Sequence, residues 1–471
     1  MIIGRKEELS LIESKLRTDG YELGVVYGQR RIGKTSIIVE SIKNYRHIYF
    51  LAREDSYQNN LRYFSDEYRK YAKLAFLPDF QTFDALFDTI LESVNDEKLV
   101  ITIDELPFLA GVYPGIVSYL QGFCDKIKIT GKNIKILLSG SNMSFMLDIL
   151  TNKEKPLYQR ATFKIFVKPM LFSDAVNMLD GLPNIDIAKY LSIFGNRPYY
   201  LEKIDKKKSF EENLISLCFN SGSILIDAPN MTLPLGYTTN STYISILLAI
   251  SSHKTKIKEM TDLLKIDDRT LATYLGRMLE TASIDRRLAF NGNKKSVYYE
   301  ISDPFIRFYY KTIYPNLPDI DRGLGEKIYQ MSLNSIEDSV NHGFEDAVIS
   351  YLDERNQKGT LPNVFHQFRN YKANNSELGR SVEIDVISDS LDKKTLLAGE
   401  AKFKNKNVSL SKLEHLKRSV SIFASKYQHV YYFMFSKTSF SNDLLALHDP
   451  AVELISLEKM IKGKDESIIR S

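Results

Sequence analysis

An apolar run, Leu23-Gly-Val-Val-Tyr27, leads directly into Gly28-Gln-Arg-Arg-Ile-Gly33-Lys34-Thr35 and then into the helical stretch Ser36–Ile42. A buried strand, a glycine-rich turn and a helix in that order confine this part of the chain to a parallel α/β sheet. The turn fits the pattern G-x-x-x-x-G-K-[ST] of a phosphate-binding loop. In such a loop the backbone N–H groups and the positive end of the following helix face phosphates. Lys34 would reach the β- and γ-phosphates and the Thr35 hydroxyl would bind Mg²⁺, with Gly28, Gly33 and Ser36 completing the cradle. No N/T-K-x-D segment stands where guanine recognition would need it, so the expected ligand is ATP with Mg²⁺.

Further strands are expected at His47–Leu51, Leu99–Ile103, Ile134–Ser139 and Phe163–Val167, alternating with helical stretches. The third of these five strands runs into Asp104-Glu105, roughly 70 residues after the loop, the spacing of a Walker B pair. Asp104 would hold the Mg²⁺ shell, and Glu105 would orient or deprotonate the attacking water. Ser139, at the end of the strand Ile136-Leu-Leu-Ser139, would contact the γ-phosphate region.

The chain has 471 residues, 44% of them hydrophobic and 26% charged, a soluble globular balance too long for one core. Its net charge of +4 allows an acidic partner without demanding one. Cys124 and Cys218, the only two cysteines, exclude a disulfide scaffold and a zinc site. No signal-peptide pattern and no run of about 18 apolar residues occurs, so a cytoplasmic protein without a membrane partner is expected.

Four domains are expected: an ATPase core over 1–170, a helical lid over 171–238, a winged helix over 239–314 and a second α/β domain over 325–471. The winged helix is read from helical runs at Tyr243–Ser251, Ile257–Lys265 and Asp268–Leu279, followed by a hairpin, Ile284–Phe290 and Ser296–Ile301. Arg269, Thr270, Tyr274 and Arg277 on its third helix, with Lys294 and Lys295 at the wing tip, are candidate DNA contacts. Pro315 and Pro318 mark a linker. Beyond it, a helix at Ser339–Leu352 precedes strands at Val382–Ser388, Leu396–Phe403, His429–Phe435 and Val452–Leu457, with a helix at Ser411–Ala424 between.

Within that last domain, Glu400 and Lys402 alternate onto one face of a strand, and Asp385 falls on its neighbour. Two carboxylates can hold Mg²⁺ and generate hydroxide against a phosphodiester, while Lys402 would position the water or offset charge. A solvated, half-exposed sheet would show the same alternation. Burying Glu400 and Lys402 in an otherwise apolar strand is costly, however, and favours a site.

Gly4-Arg5-Lys-Glu-Glu8-Leu9, the phosphate loop, Asp104-Glu105, Ser139-Gly-Ser141, Pro156-Leu-Tyr-Gln-Arg160 and Gly195-Asn-Arg-Pro198 together resemble the archaeal-type P-loop ATPases of the AAA+/STAND assemblage. The resemblance implies that Arg5 belongs to a nucleotide-base entry motif. It makes Arg160 a γ-phosphate sensor, within its own subunit or in a neighbour's within an oligomer. Asn196 departs from the usual Gly-Gly-x-Pro turn, which leaves Arg197 either a nucleotide sensor or part of a turn.

The order Asp385, Glu400, Lys402 resembles the PD-(D/E)xK nuclease superfamily, a restriction-endonuclease-like fold often attached to such ATPases. That resemblance places Glu345 as a further metal carboxylate on the preceding helix, although Ile384 stands where a Pro is usual. Two functions follow. One is an ATP-driven DNA-processing protein coupled to a Mg²⁺-dependent nuclease-like domain. The other is a non-catalytic nucleotide switch or scaffold whose C-terminal domain only binds DNA or protein. A small-molecule kinase gains no support, since no acceptor-binding or lid-arginine pattern follows the loop.

Overall fold

The computed structural model describes residues 2–76, 79–95, 97–234, 236–288, 290, 297–375 and 380–462. The chain divides into two compact units, Met1–Pro169 with Glu280–Ala282, and Met170–Leu279 with Ser283–Ser471.

The first unit is built on strands β1 (Glu22–Tyr27), β2 (His47–Leu51), β3 (Leu99–Asp104), β4 (Ile134–Gly140) and β5 (Phe163–Phe166). They form a five-stranded sheet in the order β2-β3-β4-β1-β5, and every pairing is parallel. The sequence dictates this arrangement because β1, β3 and β4 are buried along their whole lengths. Strands apolar on both faces need helices on both faces. Val25 packs with Phe64, Phe87 and Phe123 on one side, and its neighbour Val26 packs with Ile12, Ile37 and Ile38 on the other. Each such fully buried aliphatic or aromatic side chain contributes about 1.5–3 kcal/mol. The parallel order puts the carboxyl ends of β1, β3 and β4 along one edge, where open α/β sheets place ligands.

The second unit begins with short helices that include Phe172–Met178, Asn184–Phe194 and Pro198–Leu201. Helices Ser241–Ser251, Ile257–Leu264 and Asp268–Glu280 follow, and then an antiparallel pair, β6 (Ile284–Leu288) and β7 (Val297–Ile301). The expected linker at Pro315 and Pro318 is instead a series of short helical turns. Both prolines sit in first turns, where a missing N–H costs nothing. The neighbouring Tyr309, Tyr310, Ile313 and Ile320 are buried.

The long helix Leu333–Gln357 leads to β8 (Arg369–Asn375), β9 (Arg380–Asp389), β10 (Thr395–Lys402), β11 (His429–Ser436) and β12 (Val452–Ser456). These make a mixed sheet in the order β12-β11-β10-β9-β8. It is antiparallel between β8, β9 and β10 and parallel from β10 to β12. The helix Leu410–Ala424 packs Leu413, Leu416 and Val420 against it. The polar stretch Arg369–Asn375 gave no strand signal, and β8 is an addition to the expected sheet. Both cysteines are buried and free. Among the described residues no helix is long and apolar enough to cross a membrane.

Candidate nucleotide-binding site

The loop after β1 owes its shape to its glycines. Gly33 has φ 98°, in the left-handed region, and caps the helix Lys34–Ile42. A Cβ on Gly28 would stand 2.7 Å from the Val167 carbonyl oxygen, so only glycine fits there. Arg5 braces the loop from outside. Its guanidinium donates to the carbonyls of Ile32 at 2.8 Å and Lys168 at 2.7 Å, and it pairs with Glu8 at 3.0 Å. With these partners Arg5 holds the loop's form, a different task from the base contact that the motif resemblance implies.

Lys34 is buried, and its Nζ donates to the carbonyls of Gly28 at 3.1 Å and Gln29 at 3.0 Å. Burial lowers its pKa, against the opposing pull of Glu105 and Asp104. Glu105 Oε1 lies 3.9 Å away. An ammonium held at the mouth of a main-chain cradle is the donor set a triphosphate requires.

Asp104, fully buried at the end of β3, is the centre of the site. Its Oδ2 accepts from Thr35 Oγ1 at 2.7 Å and from the Tyr49 hydroxyl at 2.6 Å. Its Oδ1 accepts from the Ser139 hydroxyl and, at 3.1 Å, from the Glu105 N–H. The Thr35–Asp104 bond links the loop hydroxyl to the strand carboxylate, the pairing that holds Mg²⁺ beside phosphates. A cation of this kind is ligated mainly by phosphates and water, so these residues fit it. Ser36 follows Thr35 on the helix, about a quarter of a turn from this contact.

Glu105 has φ 56° and starts the helix Leu106–Val112. Its Oε2 accepts from the Ser141 N–H at 3.0 Å and the Ser141 hydroxyl at 2.8 Å. The carboxylate is thereby anchored by one oxygen while the other faces Lys34. Sequence reasoning placed Ser139 near the γ-phosphate, but the structure gives Ser139 to Asp104 and Ser141 to Glu105. Tyr49 escaped notice because a tyrosine in a strand reads as core.

Arg160 lies elsewhere. It precedes β5, near the level where the Thr162 N–H donates to the Leu23 carbonyl at 2.8 Å. That is the amino end of the sheet, about 15 Å from the loop at roughly 3.3 Å per residue. Its guanidinium pairs with Asp125. A sensing role within its own subunit is therefore corrected, because the strand length separates the two ends. Arg197 is buried and pairs with Asp303 at 3.2 Å, also donating to the Ser302 carbonyl. It braces a turn of the second unit.

Among the candidate DNA contacts, Arg269, Thr270 and Arg277 are exposed on Asp268–Glu280. Thr270 bonds Asp267 as a local cap. Tyr274 instead packs edge-on against Tyr243, ring centroids 4.8 Å apart. Lys294 and Lys295 lie outside the described residues.

In the C-terminal sheet Asp385, Glu400 and Lys402 do converge. Lys402 Nζ is 2.9 Å from Asp385 Oδ2 and 2.9 Å from Glu400 Oε1, and the Ala401 N–H donates to Asp385 at 2.8 Å. Burial and the Asp385 charge raise the pKa of Glu400. Burial, then Asp385 and Asp346, raise that of Glu345, which lies 3.6 Å from His342. Among the described residues no three His, Cys, Asp or Glu side chains form a group that could hold a metal ion. The Lys402 ammonium stands where the two strand carboxylates meet.

A parallel sheet with a phosphate loop after β1, an acidic pair after β3 and serines after β4 defines a P-loop ATPase core. Residues 2–204 match the family described as an ATPase domain predominantly from Archaea. Residues 309–415 match a family described as archaea bacterial proteins of unknown function. The chain is 29% identical over 418 residues to the uncharacterized protein MJECL04 of Methanocaldococcus jannaschii, covering 86% of this chain and 88% of that one. It is 41% identical over 44 residues to the uncharacterized ATP-binding protein MJ0423 of the same organism, 9% of this chain and 75% of that one. The Walker-type ATPase PABY2304 of Pyrococcus abyssi superposes with a TM-score of 0.49 at 19% identity, over 66% of this chain and 96% of that one.

Proposed function

We propose that this chain binds ATP at Gly28–Thr35 and hydrolyses it, and that its nucleotide state governs a DNA-processing activity of the second unit. The observation that carries the ATPase reading is the Asp104 carboxylate bonded to Thr35, with Glu105 anchored on Ser141 beside Lys34. Lys34 and the loop N–H groups would bind the phosphates, and Thr35 with Asp104 would hold Mg²⁺. The metal supplies charge neutralisation at the phosphate oxygens. Glu105, fixed by one oxygen, keeps the other to accept a proton from the attacking water.

For the second unit, the Asp385–Lys402–Glu400 cluster supports a phosphodiester-facing site on a restriction-endonuclease-like sheet. The helices and hairpin over 241–301 support a winged helix presenting Arg269 and Arg277. A second reading is a nucleotide switch whose C-terminal domain only binds DNA or protein.

Plasmid nicking in Mg²⁺ and DNA retention at low salt, each with and without ATP, separate the two. The nuclease reading predicts nicking that Asp385→Ala and Lys402→Ala both abolish. The binding reading predicts ATP-dependent retention with no nicking. Failure to retain DNA at about 50 mM salt, where backbone contacts are strong, contradicts the DNA-processing reading and favours a switch whose C-terminal domain binds protein.

A further inference from the structure

Asp104 is gripped from both sides of its strand. Ser139 comes from β4, and Tyr49 comes from β2, the two neighbours of β3 in the sheet. Tyr49 pairs in register with Thr102, so Asp104 lies one diagonal step away, within reach of an aromatic side chain. Its hydroxyl donates at 2.6 Å to Oδ2, the same oxygen that accepts from Thr35 at 2.7 Å. A phenol hydroxyl carries one O–H donor, which here is spent on the carboxylate.

The terminal torsion of an aspartate is broad and nearly two-fold, so a carboxylate bonded on one oxygen alone can rotate. Ser139 and the Glu105 N–H hold Oδ1, and Tyr49 holds Oδ2 without being one of the two Mg²⁺-holding groups, so it fixes the carboxylate's plane independently of Thr35. We infer that Tyr49 is a positioning residue of the nucleotide site, which holds the Asp104 carboxylate so that Oδ2 stays on the Thr35 hydroxyl. This rests on the reading of Thr35 and Asp104 as the Mg²⁺-holding pair. Tyr49 itself touches neither phosphate nor metal in this role. It acts as the partners of ligating carboxylates do elsewhere, where their loss costs about 10–100-fold in metal affinity.

The test uses the full-length chain and Tyr49→Phe, which keeps the ring and removes only the hydroxyl. Binding of a fluorescent, non-hydrolysable ATP analogue is titrated with Mg²⁺ and measured separately in EDTA. The Mg²⁺ concentration for half-maximal binding is expected to rise about tenfold in the variant. Affinity in EDTA and kcat at saturating Mg²⁺ are expected to stay within roughly twofold of wild type. An unchanged Mg²⁺ midpoint, or an equal loss of affinity with and without Mg²⁺, overturns the inference. If the wild type binds the analogue with Mg²⁺ but does not turn over ATP, the hydrolysis reading falls while the midpoint still decides the role of Tyr49. A wild type whose binding does not respond to Mg²⁺ overturns the inference as well.

Discussion

Glu105→Gln is expected to slow ATP turnover by about 100-fold or more while ATP binding stays close to wild type. The amide matches the carboxylate in shape and keeps a carbonyl oxygen for the Ser141 N–H and hydroxyl, which hold Glu105 at 3.0 and 2.8 Å. It cannot take a proton from water at neutral pH. The loop, Lys34 and the Thr35–Asp104 pair are untouched, so the variant separates binding from chemistry. Phosphate release under single-turnover conditions, set beside equilibrium binding of ATP, checks this. Turnover within a few-fold of wild type removes Glu105 from the chemistry.

Arg197→Ala is expected to destabilise the second unit by about 3–5 kcal/mol, the cost of leaving a buried charge without its partner. The Arg197 and Asp303 side chains are 5% and 9% exposed. Asp303 also accepts from the Tyr200 hydroxyl at 2.9 Å and from the Phe305 N–H at 2.9 Å. Truncating the arginine leaves that carboxylate with neutral donors only. Urea unfolding reads the loss, and ATP affinity measured below the transition is expected to be unchanged. A variant as stable as wild type but weakened in ATP binding makes Arg197 a nucleotide sensor instead.

The nucleotide half of the chain was legible because its signals are local. A phosphate loop needs Gly28 and Gly33 at fixed spacing, and the strands around it are apolar on both faces, so strand ends were read to within a residue or so. What escaped depends on contacts distant in sequence. Tyr49 reaches Asp104 across 55 positions, and nothing in His47–Leu51 distinguishes a tyrosine that donates to a carboxylate from one that fills a core. Arg160 matched a motif by order alone, whereas its place at the amino end of the sheet follows from strand polarity.

The second unit was legible in outline, with gaps where pattern and packing part company. Arg369–Asn375 is mostly polar, yet it pairs along β9 because the sheet supplies its hydrogen bonds. Pro315 and Pro318 suggested a break, but a proline in a first helical turn is compatible with the buried tyrosines around it. Asp385, Glu400 and Lys402, ordered in the sequence as a site would need, lie together in the sheet. Their order did not foretell that the ammonium would stand between the carboxylates, since residue order carries no information about which charges neutralise one another.

The central claim is that Gly28–Thr35 and Asp104–Glu105 make one ATP-hydrolysing site, and Lys34→Ala tests it most directly. Among the described residues the Lys34 ammonium bonds the loop carbonyls and approaches Glu105, so its loss should spare the fold. Steady-state ATP hydrolysis by the full chain with Mg²⁺, wild type against Lys34→Ala, is expected to fall by about 100-fold or more. Equal turnover by the two proteins, or no turnover by the wild type, contradicts the account.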